Sequence, residues 1–375
     1  MSVQIGSALI KSLFNKIIHA NITLLTLGTK GSIPSAFGCQ GMLYFSKTGC
    51  TLGLPSMGVL LLAKTGYINR YNNGLLIGNR KFSMIHNSKS NQNNLITFKN
   101  DKLILSHDFL EWFIGFTDAE GCFLITPNKG QSFIFRFKIS LHVDDVETLN
   151  YIRDTLQIGK VVLSQTRPDA TFEVTKLSEI EVIVEIFSKR SLNTTKQLNF
   201  LDFKRAFLLY QHDNSREDRQ KIKPIIDNIK SGMNSKRTAP AEVSRQEFNI
   251  TPDWLLGFIE GDGSFYYENH KGLIYLGIKQ TGNKDLLDGI KEFIIKLIKD
   301  KGIIDNINNA IRIDLKEKGM FLLSTNNTDL IEFVIIPLLD GLTWHTKKYL
   351  DYCDWKAIFN IKKLGLHYLA EKYIC

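Results

Sequence analysis

The stretch GFTDAEGCF, residues 115–123, places the carboxylates of Asp118 and Glu120 beside a glycine at the predicted end of a short apolar helix. The second half of the chain repeats this arrangement in GFIEGDGSF, residues 257–265, where Asp262 stands directly before a glycine. Two copies of one motif, each with an acid in the same place, indicate an internal duplication. The repeat therefore predicts two similar domains, each with a helix that ends in a carboxylate.

A second signature recurs late in each half and supports the duplication. TTKQLNFLDFKRAF, residues 194–207, and TKKYLDYCDWKAIF, residues 346–359, share threonine, lysine, aspartate and phenylalanine residues at identical spacing. The shared lysines include Lys196 and Lys348, which open a predicted helix in each half. Agreement at this many positions in the same order is improbable by chance, so we interpret the two halves as copies of one ancestral unit.

The overall composition is that of a globular protein with two or three domains: 375 residues, 43% hydrophobic and 23% charged. No apolar run reaches about 18 residues, so a membrane-spanning helix is not expected. The five cysteines form no Cys-x-x-Cys pair and no zinc-like cluster with histidine. They are therefore interpreted as unpaired thiols in a reducing compartment.

The net charge of +9 comes entirely from the first hundred residues. Residues 1–100 carry ten Lys and Arg with no Asp or Glu, whereas the remaining residues hold 37 basic and 38 acidic side chains. Residues 1–100 are predicted to be a poorly ordered leader, either an organellar transit segment or translated upstream sequence. Nucleic acid binding by the rest of the chain must therefore depend on a local basic surface.

The hydrophobic pattern predicts the same order in both halves: helix, strands, helix, strands, helices, which is an α+β fold. In SFIFRFKISLHV, residues 132–143, apolar residues alternate with polar ones, as in a strand that is buried on one face. The predicted domains span residues 101–212 and 249–375. A charged linker that holds at most one helix, residues 213–248, joins them.

The two motif helices carry small residues four positions apart, which places them on one helical face. These residues are Gly115 with Ala119 and Gly257 with Gly261. Small residues on a shared face allow two helix backbones to approach closely. The two motif helices are therefore expected to pack against each other at the junction of the two domains.

Glu120 and Asp262 would then meet at the carboxyl ends of the packed helices. Gly121 and Gly263 follow them and are expected to adopt the left-handed helix-end conformation. Helix carboxyl ends already carry partial negative charge, so two added carboxylates are unfavourable unless a cation binds. Hard oxygen ligands of this kind suit Mg²⁺ or Ca²⁺, which is the physical reason to interpret these acids as metal ligands.

FIGFTDAEG, residues 113–121, and LLGFIEGDG, residues 255–263, resemble the two signature motifs of single-chain LAGLIDADG homing endonucleases. The resemblance extends over roughly residues 103–360. It implies two pseudo-symmetric αββαββα domains that form a DNA-binding saddle, with the motif helices at their interface and each antiparallel sheet in the DNA major groove.

The resemblance also implies the metal ligands. In the family the acid before the final glycine binds divalent cations, so Glu120 and Asp262 are the expected catalytic metal ligands. The backbone carbonyls of Ala119 and Gly261 are further expected ligands, and Mg²⁺ is the expected cofactor, with Mn²⁺ as a substitute. Glu120 departs from the consensus aspartate of the family but keeps a carboxylate.

Further roles follow from motif position. Lys196 and Lys348 match the family's basic residues near the metals, which organise water or stabilise the phosphorane. The earlier motif acids, Asp118 and Glu260, are expected to serve the helix end or local hydrogen bonding. DNA contacts are expected on the outer strand faces, which a β-surface in the major groove would present to base edges. The candidates are Arg136, Lys138, His142, Tyr275, Lys279 and Thr281.

These implications describe a site-specific endonuclease that makes double-strand breaks in DNA by metal-dependent phosphodiester hydrolysis and promotes intron mobility. Intein splice signals are not visible, which favours an intron-encoded or free-standing protein. The expected molecule is a monomer with internal pseudo-twofold symmetry that is encoded in a mitochondrion. Its expected partner is double-stranded DNA, and no association with a membrane is expected. Two alternatives stay open: an RNA maturase that binds its own intron RNA and assists splicing, and a catalytically inactive DNA-binding protein.

Overall fold

The computed structural model describes residues 43–46, 49–52, 95–98, 103–129, 132–212, 216–234, 237, 248–268, 271–301 and 309–365. Residues 84–356 form one compact unit, and residues 1–83 with 357–375 form another. The described part of the latter is the antiparallel hairpin of β1 (Leu43–Ser46) and β2 (Gly49–Leu52), together with the end of the last helix. Among the described residues, no helix has the length and apolarity needed to cross a membrane.

The first half of the larger unit is built on one four-stranded antiparallel sheet. Its order is α1 (His107–Glu120), β5 (Gly121–Pro127), β6 (Phe133–His142), α2 (Val146–Leu156), β7 (Lys160–Leu163), β8 (Asp169–Val174), α3 (Leu177–Lys189) and α4 (Lys196–His212). The strands lie in the order β5-β6-β8-β7. Because Phe133, Phe135, Phe137 and Ile139 of β6 are each 5% exposed or less, this face of the sheet forms the core.

The second half repeats this arrangement. Its order is α6 (Pro252–Asp262), β9 (Gly263–Glu268), β10 (Leu273–Thr281), α7 (Lys284–Lys301), β11 (Arg312–Leu315), β12 (Met320–Thr325), α8 and α9 (Lys348–Lys363). Helix α8 consists of three consecutive segments, Thr328–Leu330, the π-helical Ile331–Ile335, and Ile336–Asp340. The strands lie in the order β9-β10-β12-β11, so the predicted α+β fold of two similar halves is confirmed.

Both motif helices begin directly after a capping hydroxyl side chain. The Ser106 hydroxyl accepts a hydrogen bond from the Phe109 N–H at 3.2 Å, and the Thr251 hydroxyl accepts one from the Trp254 N–H at 3.1 Å. Pro252 occupies the first turn of α6, where its missing N–H costs no helical hydrogen bond. These caps fix the start of each helix.

A hairpin precedes α1 and changes the predicted boundary at residue 100. It consists of β3 (Leu95–Phe98) and β4 (Leu103–Ser106), and Phe98 is buried to 1% exposure. Lys189 of α3 donates a hydrogen bond to the Thr97 carbonyl at 2.9 Å and lies over the Phe98 ring. The boundary taken from composition therefore falls inside a packed hairpin; other than this strand and the β1–β2 hairpin, the predicted leader lies outside the described residues.

The segment predicted as a linker, residues 213–248, contains helix α5 (Arg216–Ser231), which packs on α4. Its Ile226 side chain is fully buried, and Met233 just beyond it is 3% exposed. The Asn234 amide then donates to the Phe123 carbonyl at 3.0 Å and anchors the chain to the first sheet. Residues 216–234 thus belong to the packed body of the first half rather than to a free connector.

Candidate active site at the ends of the paired helices

Helices α1 and α6 pack against each other with backbone in direct contact. A Cβ atom placed on Gly115 would lie 2.0 Å from the Trp254 carbonyl oxygen, and one placed on Gly257 would lie 2.2 Å from the Trp112 carbonyl oxygen. The contact is reciprocal, because each glycine lies against a tryptophan backbone of the other helix. Any side chain at these glycines would push the helices apart.

The carboxyl ends of the same helices also meet. A Cβ placed on Gly261 would lie 2.3 Å from the Ala119 Cβ and 3.4 Å from a carboxylate oxygen of Glu120. Glu120 and Asp262 are the last residues of α1 and α6, and each is half-buried. The structure therefore brings the predicted small residues and both predicted metal ligands to one place.

The glycines after these acids do not have the left-handed conformation that was predicted. Gly121 has φ −71° and ψ 150°, and Gly263 has φ −76° and ψ 154°, so both are extended and begin strands β5 and β9. Glycine is required for space instead: a Cβ at Gly121 would lie 2.4 Å from Thr117, and one at Gly263 would lie 2.6 Å from Ile259. The helix passes directly into the strand, and no room for a side chain remains at the junction.

The two terminal carboxylates share one electrostatic environment. Burial raises the pKa of Glu120, and the Asp262 carboxylate raises it further, whereas Lys196 and Lys348 lower it. Burial also raises the pKa of Asp262, which is opposed by Lys196, by a hydrogen bond from Gln280 and by Lys348. Two partly desolvated acids that repel each other form a site that a cation would stabilise.

The two lysines lie at this site, one from each half. Lys196, the first residue of α4, donates from Nζ to the Ala119 carbonyl at 2.6 Å and to the Thr117 carbonyl at 3.3 Å. Lys348, the first residue of α9, donates to the Gly263 carbonyl at 2.8 Å. Burial lowers the pKa of Lys196, and nearby carboxylates, Asp118 first, oppose that shift. The two halves therefore differ in one detail: Lys196 donates to the carbonyl of the residue before its motif acid, and Lys348 donates to the carbonyl of the residue after its motif acid.

Asp118 of the first motif has a role that its sequence position does not reveal. Its buried carboxylate accepts hydrogen bonds from the Thr194 N–H at 2.8 Å, the Thr194 hydroxyl at 2.6 Å and the Asn193 N–H at 2.8 Å. It also accepts one from the indole N–H of Trp254, on the helix of the other half, at 3.0 Å. The expected local hydrogen bonding is therefore only part of its role, because Asp118 links its own half to the other.

Glu260 of the second motif repeats this link in the opposite direction. Its buried carboxylate accepts from the indole N–H of Trp112 at 2.5 Å, from the N–H groups of His345 at 2.8 Å and Thr346 at 2.7 Å, and from the Thr346 hydroxyl at 2.9 Å. Burial raises the pKa of this acid, and the donated hydrogen bonds oppose the shift. Each acid therefore holds the loop that leads into the lysine-bearing helix of its own half.

Gln280 is a site residue that sequence reasoning missed. Its side-chain amide donates to Asp262 at 2.6 Å, from near the end of strand β10. In the alternation of β10, Gln280 shares the core-facing parity of Leu276 and Ile278. A polar residue at a core-facing position of a strand is a signal that could have identified it.

The predicted DNA-contacting residues all lie on the outer faces of the two sheets. Arg136 and Lys138 are on the central strand β6, and Arg136 pairs with Glu173 at 3.4 Å. His142 ends β6, where its Nδ1 accepts the Asp144 N–H at 3.3 Å, so part of its hydrogen-bonding capacity serves the turn. In the second sheet the central strand β10 carries the other candidates on its outer face, namely Tyr275, Lys279 and Thr281.

The donor set fits a small divalent cation. Glu120 and Asp262 are the half-buried carboxylates at the helix ends, whereas Asp118 nearby is fully engaged by hydrogen bonds from Asn193, Thr194 and Trp254. Mg²⁺ is commonly held by one or two carboxylates, with water and substrate phosphates as its other ligands. The Ala119 carbonyl accepts from Lys196 and keeps a second lone pair that could bind a cation. A two-carboxylate site at the end of paired helices therefore suits a cation that is shared with a phosphate substrate.

Comparison with known proteins agrees with this geometry. Residues 113–207 and 255–359 each match the family model described as LAGLIDADG endonuclease, so the motif helix, the sheet and the late signature are matched once in each half. The chain belongs to the LAGLIDADG endonuclease family, in its double-motif form.

Two curated relatives come from fungi. The chain is 27% identical over 319 residues to the mitochondrial protein RF1 of Saccharomyces cerevisiae, covering 82% of this chain and 63% of that protein. It is 29% identical over 230 residues to the probable intron-encoded endonuclease Cox1-I1b of Schizosaccharomyces pombe, covering 58% of each. The chain thus spans about three fifths of the length of these relatives.

Solved structures share the fold. The homing endonuclease I-GzeII in complex with its DNA target has a TM-score of 0.56 at 24% identity, covering 68% of this chain and 92% of that one. I-SmaMI bound to uncleaved DNA in the presence of calcium ions has a TM-score of 0.54 at 22% identity, covering 69% and 92%. At this level of sequence identity, the similarity to these structures shows the fold alone.

Proposed function

We propose that this protein is a site-specific endonuclease that makes double-strand breaks in DNA by divalent-metal-dependent phosphodiester hydrolysis and so promotes the mobility of an intron. The observation that carries the proposal is the meeting of Glu120 and Asp262 at the ends of the paired helices, with Lys196 and Lys348 beside them. Similarity to a probable intron-encoded endonuclease and to a DNA-bound endonuclease of the same fold supports it. The mitochondrial relative supports a mitochondrial origin.

Each side chain has a role in this proposal. Glu120 and Asp262 would hold Mg²⁺, for which Mn²⁺ can substitute, with the Ala119 and Gly261 carbonyls as further ligands. When bound, the cations supply Lewis-acid activation of the scissile phosphate and of the attacking water. Lys196 and Lys348 lie close enough to the acids to place positive charge against the phosphate oxygens where negative charge develops. The two halves form the two domains of a monomer, the predicted residues 101–212 extended by β3 and α5 and the predicted residues 249–375, and the outer sheet faces contact double-stranded DNA.

The discriminating experiment uses the full chain, Mg²⁺ and a duplex spanning the joined exons of the host gene. Glu120→Gln and Asp262→Asn remove a metal-binding charge without changing shape, so we expect cleavage to fall by about 100-fold or more while binding of the duplex persists. Glu147→Gln, an exposed acid in the first turn of α2, is the matched control and should cleave normally.

Three outcomes separate the functions. Cleavage that needs Mg²⁺ and both acids supports the endonuclease. Binding of the duplex without cleavage by the unaltered chain contradicts it and indicates a DNA-binding protein that does not cut. Tight binding of the intron RNA in place of the duplex indicates a maturase, for which the motif acids would be dispensable.

A further inference from the structure

The outer faces of the two sheets differ in chemistry although their strands correspond. On the first sheet, Lys138, Glu173 and Lys160 lie in register across β6, β8 and β7. Glu173 pairs with Lys160 at 3.2 Å and with Arg136 at 3.4 Å. The middle of this face is therefore a charged network, which suits hydrogen bonding to base edges.

The corresponding row of the second sheet carries no charge on β9, β10 or β12, and its charged residue is Arg312 on the edge strand β11. Here Gly277 of β10 lies in register with Ser264 of β9 and Ser324 of β12. A Cβ at Gly277 would lie 3.3 Å from both the Tyr266 ring and the Leu322 side chain, so these two side chains close over the glycine. The glycine thus makes room for an apolar surface in the place where the first sheet has lysine.

Tyr266 also stacks on Tyr275, which extends this surface along the sheet. The two ring centroids are 4.9 Å apart and the rings are 8° from parallel. Tyr266 keeps 38% of its surface exposed, so the patch formed by Tyr266, Tyr275 and Leu322 is accessible from outside the sheet. We refer to these three residues as the apolar patch.

Charged groups of this sheet lie around the apolar patch. Glu268 pairs with Lys271 at 2.9 Å, and Asp314 pairs with Lys316 at 3.5 Å, each within a short stretch of chain. Lys279 is exposed and lies directly opposite Leu322 on β10, and Asp314 lies opposite Leu322 on β11. The cations beside the apolar patch suit phosphates, whereas the apolar patch itself offers the base edges van der Waals contact.

In the major groove, the C5-methyl group of thymine is the apolar group that a protein can contact. We infer that the second sheet recognises its half of the DNA target through thymine methyl groups, which contact Tyr266, Tyr275 and Leu322, while the first sheet uses hydrogen bonds. This inference rests on the proposed function. It makes the target asymmetric, with a thymine-rich segment under the second sheet.

The test begins with selection of a preferred duplex by the full chain from a randomised pool, in EDTA so that the DNA stays intact. Thymines are then replaced by deoxyuridine in one half-site at a time, which removes the methyl groups and leaves base pairing unchanged. Removal of one buried methyl should weaken binding by about fourfold, so several replacements in the half-site under the second sheet should cost 10-fold or more. The other half-site should tolerate the replacement.

Variants assign the effect to the apolar patch. Leu322→Ser should weaken binding of the thymine duplex and reduce the difference between thymine and deoxyuridine in the sensitive half-site. Val162→Ser is the matched control, because Val162 lies on the outer face of the first sheet and is 42% exposed; it should leave that difference unchanged. If Leu322→Ser proves unstable on thermal unfolding, Tyr266→Ser provides the same comparison at a more exposed position.

The outcomes separate this inference from the function beneath it. Selection of a duplex in which both half-sites tolerate deoxyuridine equally overturns the inference and leaves the endonuclease proposal intact. A deoxyuridine effect of undiminished size in both Leu322→Ser and Tyr266→Ser also overturns it. Failure to enrich any duplex contradicts the proposed function, and the inference fails with it.

Discussion

At the scale of single residues, Gly115 and Gly257 show how strongly one position can determine an interface. Because each faces a backbone carbonyl rather than a flexible side chain, an added methyl cannot be accommodated by a rotamer change. The spacing of the small residues in the sequence was sufficient to predict that the two helices pack closely here. It could not show that each glycine lies against a tryptophan carbonyl, since that depends on how the two helices cross.

We expect Gly257→Ala to lower the free energy of unfolding by about 3 kcal/mol or more, because the paired helices must separate to admit the methyl group. Gly232→Ala is the control: a Cβ there would lie 3.7 Å from its nearest neighbour, the Ile229 carbonyl. Urea denaturation of both variants measures the difference. A Gly257→Ala variant as stable as Gly232→Ala would contradict the close packing.

Trp254→Phe tests the link to Asp118. Loss of the indole N–H leaves the buried carboxylate with one donor fewer, so we expect a loss of about 1 to 3 kcal/mol in the free energy of unfolding. Trp344→Phe is the control, because the indole of Trp344 donates to the neutral Leu339 carbonyl five residues away. Equal losses of unfolding free energy in the two variants would show that the Trp254–Asp118 hydrogen bond stabilises the protein no more than the local bond of Trp344.

At the scale of elements, the sequence predicted most helices and strands, since their apolar periodicity matches the faces that the fold buries. The β3–β4 hairpin was missed because Leu95–Phe98 follows a polar run and is too short to show a period. Gly121 and Gly263 were predicted to end their helices in the left-handed form. They are extended instead, because the helix leads straight into a strand, which the sequence of the helix alone does not reveal.

The amino ends of α1 and α6 also lie close together, and this makes stability depend on pH. The pKa of Asp253 is raised to about 6, mainly by burial and also by repulsion from Asp108 and Glu111. Arg190 and His107 lie near the Glu111 carboxylate, at 3.5 Å and 3.7 Å, on the same side. Because the folded protein holds this proton more tightly than the unfolded chain, stability decreases as the pH rises from about 4 through 6.

Asp253→Asn should therefore stabilise the protein at pH 7.5 by about 1 to 2 kcal/mol, after allowance for solvent screening, and should change little near pH 4. Thermal or urea unfolding at both pH values measures this. A variant that is equally affected at the two pH values would contradict a titrating Asp253 and would point to packing instead.

At the scale of the whole molecule, the two acids of each motif have separate roles. Glu120 and Asp262 face the candidate metal site, whereas Asp118 and Glu260 each bind a tryptophan of the opposite half. The duplication and the meeting of the motif helices could be inferred from the repeat. The reciprocal tryptophan bonds could not, because Trp112 and Trp254 look in sequence like ordinary apolar residues of an amphipathic helix.

Because each half completes the hydrogen bonds of the other, residues 95–356 should unfold in a single transition. We expect denaturation curves from tryptophan fluorescence and far-ultraviolet circular dichroism to coincide. Trp254→Phe should shift the whole curve to lower denaturant concentration without splitting it. Two resolved transitions would show that the halves are independent folding units.

The backbone contact at Gly115 and Gly257 also fixes the distance between the two motif helices. When side chains separate two helices, larger or smaller substitutions change the distance between the helix axes. When main chain packs directly on main chain, that distance is fixed by the backbone atoms. The distance between Glu120 and Asp262 is set by this helix separation, since both lie on the last turns of the same two helices. In the proposed reaction, the offset between the two cut positions is therefore a property of the protein, and every target that it accepts would be left with the same stagger.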